Sequence, residues 1–309
     1  MSNLLAIAVA ILGGLLMTRL VKPFKLPDVT AYLIAGVLIG PYCLGALGIP
    51  GFGFVSSEAL EVLAIMGEVA LGFIAFAIGN EFRMSELKKT GKQAFVVGIV
   101  QAFAAAILVD IALLLIHVIW PDKLTASQAI TLGAIATATA PAATLMVVKQ
   151  YKAKGELTKL LLPVVALDDA VGLVVFAVSF GIARTIQSGS VELISILLNP
   201  LIEIVLSLAL GSVLGWLLTQ LEKLFHSNTN RLNLVIAFVL ATVALSMLEF
   251  HIGTVHCSFS LLLVCMMTGT IFCNICDTSE ELMERVDSWT TPLNILFFVI
   301  SGAQLAFEP

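Results

Sequence analysis

The stretch Val164-Val-Ala-Leu-Asp-Asp-Ala-Val-Gly-Leu-Val-Val-Phe176 places two adjacent acids, Asp168 and Asp169, inside an otherwise apolar run. If this run crosses a membrane, each ionised carboxylate at its centre costs about 2.5–3.5 kcal/mol on insertion scales. The pair then costs roughly 5–7 kcal/mol. If the pair has only a structural role, a buried Lys or Arg must neutralise the two carboxylates. If the pair has a functional role, a bound ion can neutralise them. The pair is therefore the first candidate for a functional site.

The composition of the whole chain indicates that the run does cross a membrane. Of 309 residues, 59% are hydrophobic and 12% are charged, whereas a soluble domain carries about 25% charged residues. Apolar runs of about 20 residues recur along the whole length, which is typical of transmembrane helices. The sequence predicts an all-α polytopic membrane protein whose main partner is the lipid bilayer. The net charge of −5, spread over polar loops, gives no reason to expect nucleic-acid binding.

Ten spans are predicted, and the first is a retained span because it has neither the basic flank nor the cleavage site of a signal peptide. They cover approximately residues 3–21, 29–48, 59–79, 93–118, 127–148, 159–182, 191–220, 231–249, 255–274 and 289–307.

The positions of the basic residues predict the orientation. With the N-terminus outside, the inner connections hold all of the 16 Lys and Arg residues except Lys123 and Arg184. Such an asymmetry is strong under the positive-inside rule. It also supports the number of spans, because one missed helix would redistribute the charges.

A second unusual stretch, residues 136–144 (ATATAPAAT), is predicted to lie at the same depth as the aspartates. Asp168 follows Lys159, at the inner end of its span, by about 14 Å of helix, near the middle of a core about 30 Å thick. Pro141 disfavours helical geometry at Ala140, so a broken helix is expected there. The hydroxyls of Thr137, Thr139 and Thr144 and the freed carbonyl oxygens are hard oxygen ligands.

Other polar residues inside the predicted spans are weaker candidates. Glu68, Asp110, Gln101 and Glu203 can line a water path, or can equally lie at a helix-packing seam. Glycines are expected to allow close helix packing, namely Gly13, Gly14, Gly36, Gly40, Gly211 and Gly215. No phosphate loop, nucleophile elbow or metal-protease motif is present in the sequence. We therefore predict neither an enzyme nor a cofactor.

The aspartate pair suggests a transport chemistry. Two adjacent carboxylates in a half-dry site cannot both ionise cheaply without a cation. Protons or a small hard monovalent cation can neutralise them, and threonine hydroxyls, freed carbonyls and water can complete the shell around the cation. Competition of H⁺ and a cation for one site is the basic requirement of an antiporter, provided that only the neutralised site crosses between the two faces.

The sequence resembles the monovalent cation/proton antiporter superfamily, in its bacterial Na⁺/H⁺ exchanger and Kef-like branch. Seven stretches carry the resemblance in order: 26–41 (LPDVTAYLIAGVLIGP), 71–82 (LGFIAFAIGNEF), 136–141 (ATATAP), 153–158 (AKGELT), 166–170 (ALDDA), 260–269 (SLLLVCMMTG) and 292–303 (PLNILFFVISGA).

The resemblance implies an inverted-repeat antiporter fold and a homodimer, with a mobile core domain that moves past a dimerisation domain. Residues 1–309 would form one exchanger domain, with a first repeat at about 1–190, a linker helix at 191–220 and an incomplete second repeat at 221–309. The family's second repeat continues beyond the position of Pro309, with a basic residue that faces the aspartates. Asp169 matches the family's cation-binding acid. Asp168 matches a position that is Asp in electrogenic members, and residues 137–141 match an unwound helix.

The expected function is exchange of a monovalent cation, Na⁺ favoured and K⁺ possible, for H⁺ in the bacterial inner membrane. The expected site combines the ion-binding residues Asp168, Asp169, Thr137 and Thr139 with the broken helix at Ala140 and Pro141. Glu68 and Asp110 are possible pathway residues. Two alternatives stay open: a Kef-like potassium efflux channel, and a truncated paralogue that does not transport.

Overall fold

The computed structural model describes residues 3–49, 53–54, 57–188, 193–248, 250–252 and 255–305. Eleven α-helices lie within this part of the chain: α1 Asn3–Val21, α2 Asp28–Ile39, α3 Ser57–Asn80, α4 Met84–Ile119, α5 Ala126–Ile135, α6 Pro141–Gln150, α7 Glu156–Ser188, α8 Leu193–Glu222, α9 Asn228–Ser246, α10 Leu261–Ile275 and α11 Ser279–Ala303. Short 3-10 turns follow α1 and α2, at Lys22–Phe24 and Leu44–Leu47. Strands β1 (Phe250–Ile252) and β2 (Val255–Cys257) form an antiparallel hairpin between α9 and α10.

The predicted fold class, an all-helical membrane protein with a broken helix, is confirmed. Within the described residues, six helical segments are long and apolar enough to cross a bilayer: Leu4–Phe24, Asp28–Leu47, Leu63–Asn80, Gly91–Ile119, Leu201–Glu222 and Asn228–Ser246. The apolar helices α5 and α10 are shorter. The number of ten spans therefore stays a prediction.

Among the predicted boundaries that differ from the structure, three are informative. The span predicted at 127–148 consists of two helices, α5 and α6, that are separated at residues 136–140. The span predicted from residue 255 starts with β2, and its helix begins only at Leu261. Helix α11 begins ten residues before the predicted 289, because its acidic first turn is favourable at a helix N-terminus even though it is too polar to read as a span.

The helices pack in two groups, which we call the three-helix group (α4, α5 and α7) and the five-helix group (α1, α2, α3, α10 and α11). Helix α8 lies against α7 and α10, and α9 lies against α3, α8, α10 and α11. Helix α6 contacts α7 on one side and α2 and α3 on the other. The broken helix therefore connects the two groups.

Glycines allow several of these helices to approach closely, as predicted for three of them. Gly36 in α2 lies against the backbone of Val299 in α11. In α8, Gly211 and Gly215 lie against the backbone of α10. A methyl group at any of the three positions would collide with main-chain atoms, which cannot move aside as a flexible side chain can.

The connections that follow α1, α3, α6, α8 and α10 meet at one end of the molecule, which we call the basic end. Side-chain interactions link these connections and the helix ends beside them: Tyr151 with the Lys25 carbonyl (3.4 Å), Arg83 with Glu280 (3.3 Å), Lys149 with Asp287 (2.6 Å), Thr278 with Glu222 (2.9 Å) and Arg231 with Glu222 (2.9 Å). These are the connections for which the sequence predicts a common side of the membrane, and Arg83, Lys149 and Arg231 lie together there.

Candidate ion-binding site

The site is built around the interruption between α5 and α6. Thr125 starts α5 with a capping box, in which its hydroxyl accepts from the Gln128 backbone N–H while the Gln128 side chain accepts from the Thr125 N–H. The helix ends at Ile135, and Ala140 is extended (φ −96°, ψ 90°) before Pro141 begins α6. Proline fits a first helical position because it has no N–H to bond there, and it keeps the preceding residue out of helical geometry.

The interruption leaves backbone oxygens without partners. None of the hydrogen bonds described in this structure ends on the carbonyl oxygens of residues 136–139. The Ala140 carbonyl, in contrast, accepts from both the N–H and the hydroxyl of Thr144, at 3.2 and 3.0 Å. Thr144, which the sequence offers as an oxygen ligand, is thus used to begin α6, and the free oxygens lie before Ala140.

Asp168 lies in α7 with 0% of its surface exposed. Its Oδ2 accepts one hydrogen bond from the Gln101 amide of α4 and one, of 3.1 Å, from the Thr139 hydroxyl in the interruption. Its Oδ1 is buried and has no hydrogen-bond partner among the described residues. The carboxylate is therefore oriented by two donors on separate segments, with one oxygen left uncommitted.

Thr137 lies next to this carboxylate, on the same side of α7. Its side chain is 2% exposed and its hydroxyl donates to the Ala134 carbonyl at 2.8 Å. Gly172 of α7 faces it so closely that a Cβ there would lie 3.1 Å from the Thr137 Oγ1. Because its proton is directed at Ala134, the hydroxyl oxygen is available as an acceptor or cation ligand.

A cavity of about 280 Å³ adjoins the site. Thr137, Asp168 and Gly172 line it together with residues at the start of α10: the N-cap Ser260 and, in the first turn, Leu262 and Leu263. Since α10 ends at the basic end, its first residues lie toward the opposite end. The cavity therefore extends from Asp168 away from the basic end.

Among the described ion pairs, none involves Asp168, and all of them lie at the basic end. The side chain of Asp169 lies outside the described part of the structure, although its backbone is part of α7. Its predicted role as the second carboxylate of the site stays a prediction.

The two predicted pathway residues are not joined to Asp168 by any described hydrogen bond. Asp110 follows Gln101 along α4 by about 14 Å, and its carboxylate touches Gly133 of α5. Glu68 is in α3. Each has one buried carboxylate oxygen without a partner in the described structure: Oδ1 of Asp110 and Oε2 of Glu68. Their predicted roles stay predictions.

Sequence reasoning underestimates Gln101 and does not find Gly172. Gln101 and Asp110 are both polar residues in the middle of the apolar part of α4, and the sequence ranks Gln101 no higher than Asp110. Only the packing of α4 against α7 shows which of the two faces the aspartate. Gly172 gives no signal of its own, because glycine is common in transmembrane helices.

A buried carboxylate that lies against the carbonyl oxygens and threonine hydroxyls of a neighbouring broken helix is typical of an ion site in a secondary transporter. Comparison with known proteins agrees with this. Residues 7–308 match the family model described as "Sodium/hydrogen exchanger, transmembrane". The chain belongs to this family, which is one of integral membrane transporters and not of enzymes.

Curated relatives are also antiporters by name, and a solved antiporter structure shares the fold. The high-affinity Na⁺/H⁺ antiporter NhaS3 of Synechocystis sp. is 26% identical, over 95% of this chain and 65% of its own length. The probable Na⁺/H⁺ antiporter 3 of Methanocaldococcus jannaschii is 36% identical over 73 residues, which are 23% of this chain and 17% of that protein. The sodium proton antiporter MjNhaP1 of Methanocaldococcus jannaschii has the same fold, with a TM-score of 0.64 and 22% identity over 97% of this chain and 70% of that one. This chain thus spans about two thirds of the length of NhaS3.

Proposed function

We propose that this chain is the membrane domain of an antiporter that exchanges a monovalent cation, Na⁺ favoured and K⁺ possible, for H⁺. One observation carries the proposal: the buried carboxylate of Asp168 keeps one oxygen uncommitted beside the unpaired carbonyls of residues 136–139. Such a group can bind either a proton or a cation, and it cannot remain charged without one except at a large cost.

The residues around Asp168 have different roles in ion binding. Gln101 and Thr139 fix Oδ2, so that Oδ1 points to the ion. Thr137 and the free carbonyls supply further hard oxygen ligands, and Asp169 supplies the second carboxylate. The C-terminal end of α5 carries partial negative charge from the helix dipole, which favours a cation at the interruption.

Coupling follows from the neutrality of the loaded site. With protons or a cation bound, the charge of the two carboxylates is reduced or removed, and the site can pass through the low-dielectric part of the molecule, whereas the empty site with both carboxylates ionised cannot. We infer that the three-helix group moves relative to the five-helix group and that the cavity beyond Asp168 gives access from the outer side. Inverted repeats, a homodimer and an N-terminus outside the bacterial inner membrane complete the proposal, and the family resemblance and the positive-inside rule support them.

The test is cation-evoked proton release from everted membrane vesicles that contain the full chain, followed by recovery of a quenched pH-sensitive dye. We expect Na⁺ to evoke recovery, Asp169→Ala to abolish it and Asp168→Ala to reduce it at least about tenfold, because a buried ligand is worth more than 1.4 kcal/mol. Asp122→Ala, which changes an exposed loop aspartate, is the matched control. Recovery that is unaffected by either site variant, in vesicles with normal amounts of protein, contradicts the proposal.

A further inference from the structure

A second cavity, of about 510 Å³, lies at the basic end between the end of α3, the last turns of α6 and the first two turns of α7. Its charged lining is strongly asymmetric, with one acid, Glu81, and five basic residues: Arg83, Lys149, Lys152, Lys154 and Lys159. It shares no lining residue with the cavity at Asp168.

The basic residues of this cavity are not all committed to protein partners. Arg83 pairs with Glu280 and Lys149 pairs with Asp287. The side chains of Lys152 and Lys154 take part in none of the ion pairs or hydrogen bonds that the structure describes. Both stand on the short connection between α6 and α7, where Lys152 has a left-handed backbone (φ 48°). The connection therefore places two lysine side chains, neither of which has a described ion-pair or hydrogen-bond partner, at the border of one cavity.

The rest of the cavity lining is apolar. Phe82, Val148 and Leu162 contribute to it. Farther out on the same turns of α7, Leu157 is 76% exposed and Leu161 is 37% exposed, as expected for side chains that face lipid. An apolar surface that leads from the bilayer to a group of basic side chains suits a ligand with an anionic head and a hydrocarbon tail. A free inorganic anion uses only the basic part of such a lining.

We propose that this cavity binds the phosphate headgroup of an anionic phospholipid. Lys152 and Lys154 contact the phosphate, and the acyl chains lie along α7. Basic pockets between transmembrane helices are known to hold such headgroups. Because the lysines stand on the connection that joins the broken helix α6 to the aspartate helix α7, the bound lipid stabilises the position of this connection relative to the end of α3.

The test measures thermal unfolding of the full chain in an uncharged detergent while dioleoyl phosphatidylglycerol is added. We expect phosphatidylglycerol to raise the unfolding midpoint and dioleoyl phosphatidylcholine to leave it unchanged. Lys152→Gln/Lys154→Gln is expected to need about thirtyfold more phosphatidylglycerol for the same shift, because each basic residue near a lipid headgroup contributes about fivefold in affinity. Lys22→Gln/Lys223→Gln, a matched change of two exposed lysines outside the cavity, is expected to respond like the wild type.

Each of the other outcomes either supports or overturns the proposed lipid site. An equal response of the cavity variant and the wild type overturns the site. A lysine-dependent shift with inorganic phosphate at the same concentration shows that the cavity binds a soluble phosphate, which overturns the lipid as its source. If the glutamine variant folds poorly, Lys152→Arg/Lys154→Arg keeps the charge and must retain the response. The readout does not need transport, so its failure is distinct from failure of the proposed antiport.

Discussion

Asp168 shows how a carboxylate can be kept in the membrane with no basic partner among the described residues. A hydrogen bond to a charged group contributes about 1.5–3 kcal/mol, and Asp168 accepts two of them, from Gln101 and Thr139. Together they offset a cost of about 2.5–3.5 kcal/mol for one carboxylate at the helix centre. The donors therefore make the ionised form tolerable for part of the cycle, while the uncommitted Oδ1 remains the place where an ion binds.

The role of Gln101 gives a first prediction. Gln101→Leu removes one donor and is expected to raise the cation concentration for half-maximal exchange about tenfold, with a smaller effect on the maximal rate, because a lost bond of at least 1.4 kcal/mol is a factor of ten. The measurement is dye recovery in everted vesicles over a range of Na⁺ concentrations. Gln93→Leu makes the same change at an exposed position of α4 and is expected to leave both values unchanged. A variant that keeps its affinity for Na⁺ would show that the amide does not orient the carboxylate.

The contact between Asp110 and Gly133 gives a second residue-scale prediction, which concerns stability. A methyl group at position 133 would overlap the Asp110 carboxylate, so Gly133→Ala is expected to destabilise the protein by about 1–3 kcal/mol through overpacking. The double variant Asp110→Ala/Gly133→Ala removes the clash and is expected to regain most of the loss in thermal unfolding midpoint. Gly67→Ala is the control, since nothing lies within 4 Å of its added methyl group. If the double variant is as unstable as Gly133→Ala, the two residues do not touch as described.

At the scale of elements, the interruption between α5 and α6 depends on proline chemistry. Pro141→Ala supplies an N–H that can bond to the Thr137 carbonyl and allows helical geometry at Ala140. We expect the interruption to shorten and exchange in everted vesicles to fall at least about tenfold, while thermal stability changes little, since proline is well tolerated at a first helical position and alanine is a good helix former.

The control for this element is Pro292→Ala, which restores one helical hydrogen bond in the interior of α11. It is expected to raise stability without a comparable loss of exchange. Full exchange by Pro141→Ala would show that the free carbonyl oxygens are not needed for ion binding.

The same elements show what sequence can and cannot predict. Asp168 and Pro141 each break a local rule, a charge in an apolar run and a proline in a helix, and both were identified from sequence. The sequence does not predict which face of α4 packs against α7. The membrane part of this helix is apolar on almost every side, so its periodicity does not distinguish Gln101 from Asp110. The start of α11 was not predicted either. Ion pairs and hydrogen bonds formed only in the folded state hold its polar first turns at the basic end.

At the scale of the whole molecule, a charged pair at the basic end links α6, which connects the two groups of helices, to the five-helix group. Lys149 of α6 pairs with Asp287 of α11 at 2.6 Å, and both side chains are about one third exposed (31% and 39%). A pair with this exposure contributes about 0–1 kcal/mol. A link of this strength joins the broken helix to the five-helix group and can still open at small cost, which is compatible with movement of one group past the other.

The orientation of the molecule gives the last prediction, and the native cysteines can test it. Cys43 is exposed beyond the end of α2, opposite the basic end, whereas Cys265, Cys273 and Cys276 are buried. In a Cys257→Ser background, a membrane-impermeant maleimide is expected to label Cys43 in intact cells.

Lys223→Cys, introduced at the basic end together with Cys43→Ser, is expected to be labelled only in everted vesicles. The physical reason is that Lys and Arg near helix ends are retained on the cytoplasmic side. Labelling of Cys43 in everted vesicles but not in intact cells would reverse the orientation, and the cavity beyond Asp168 would then lead to the cytoplasm.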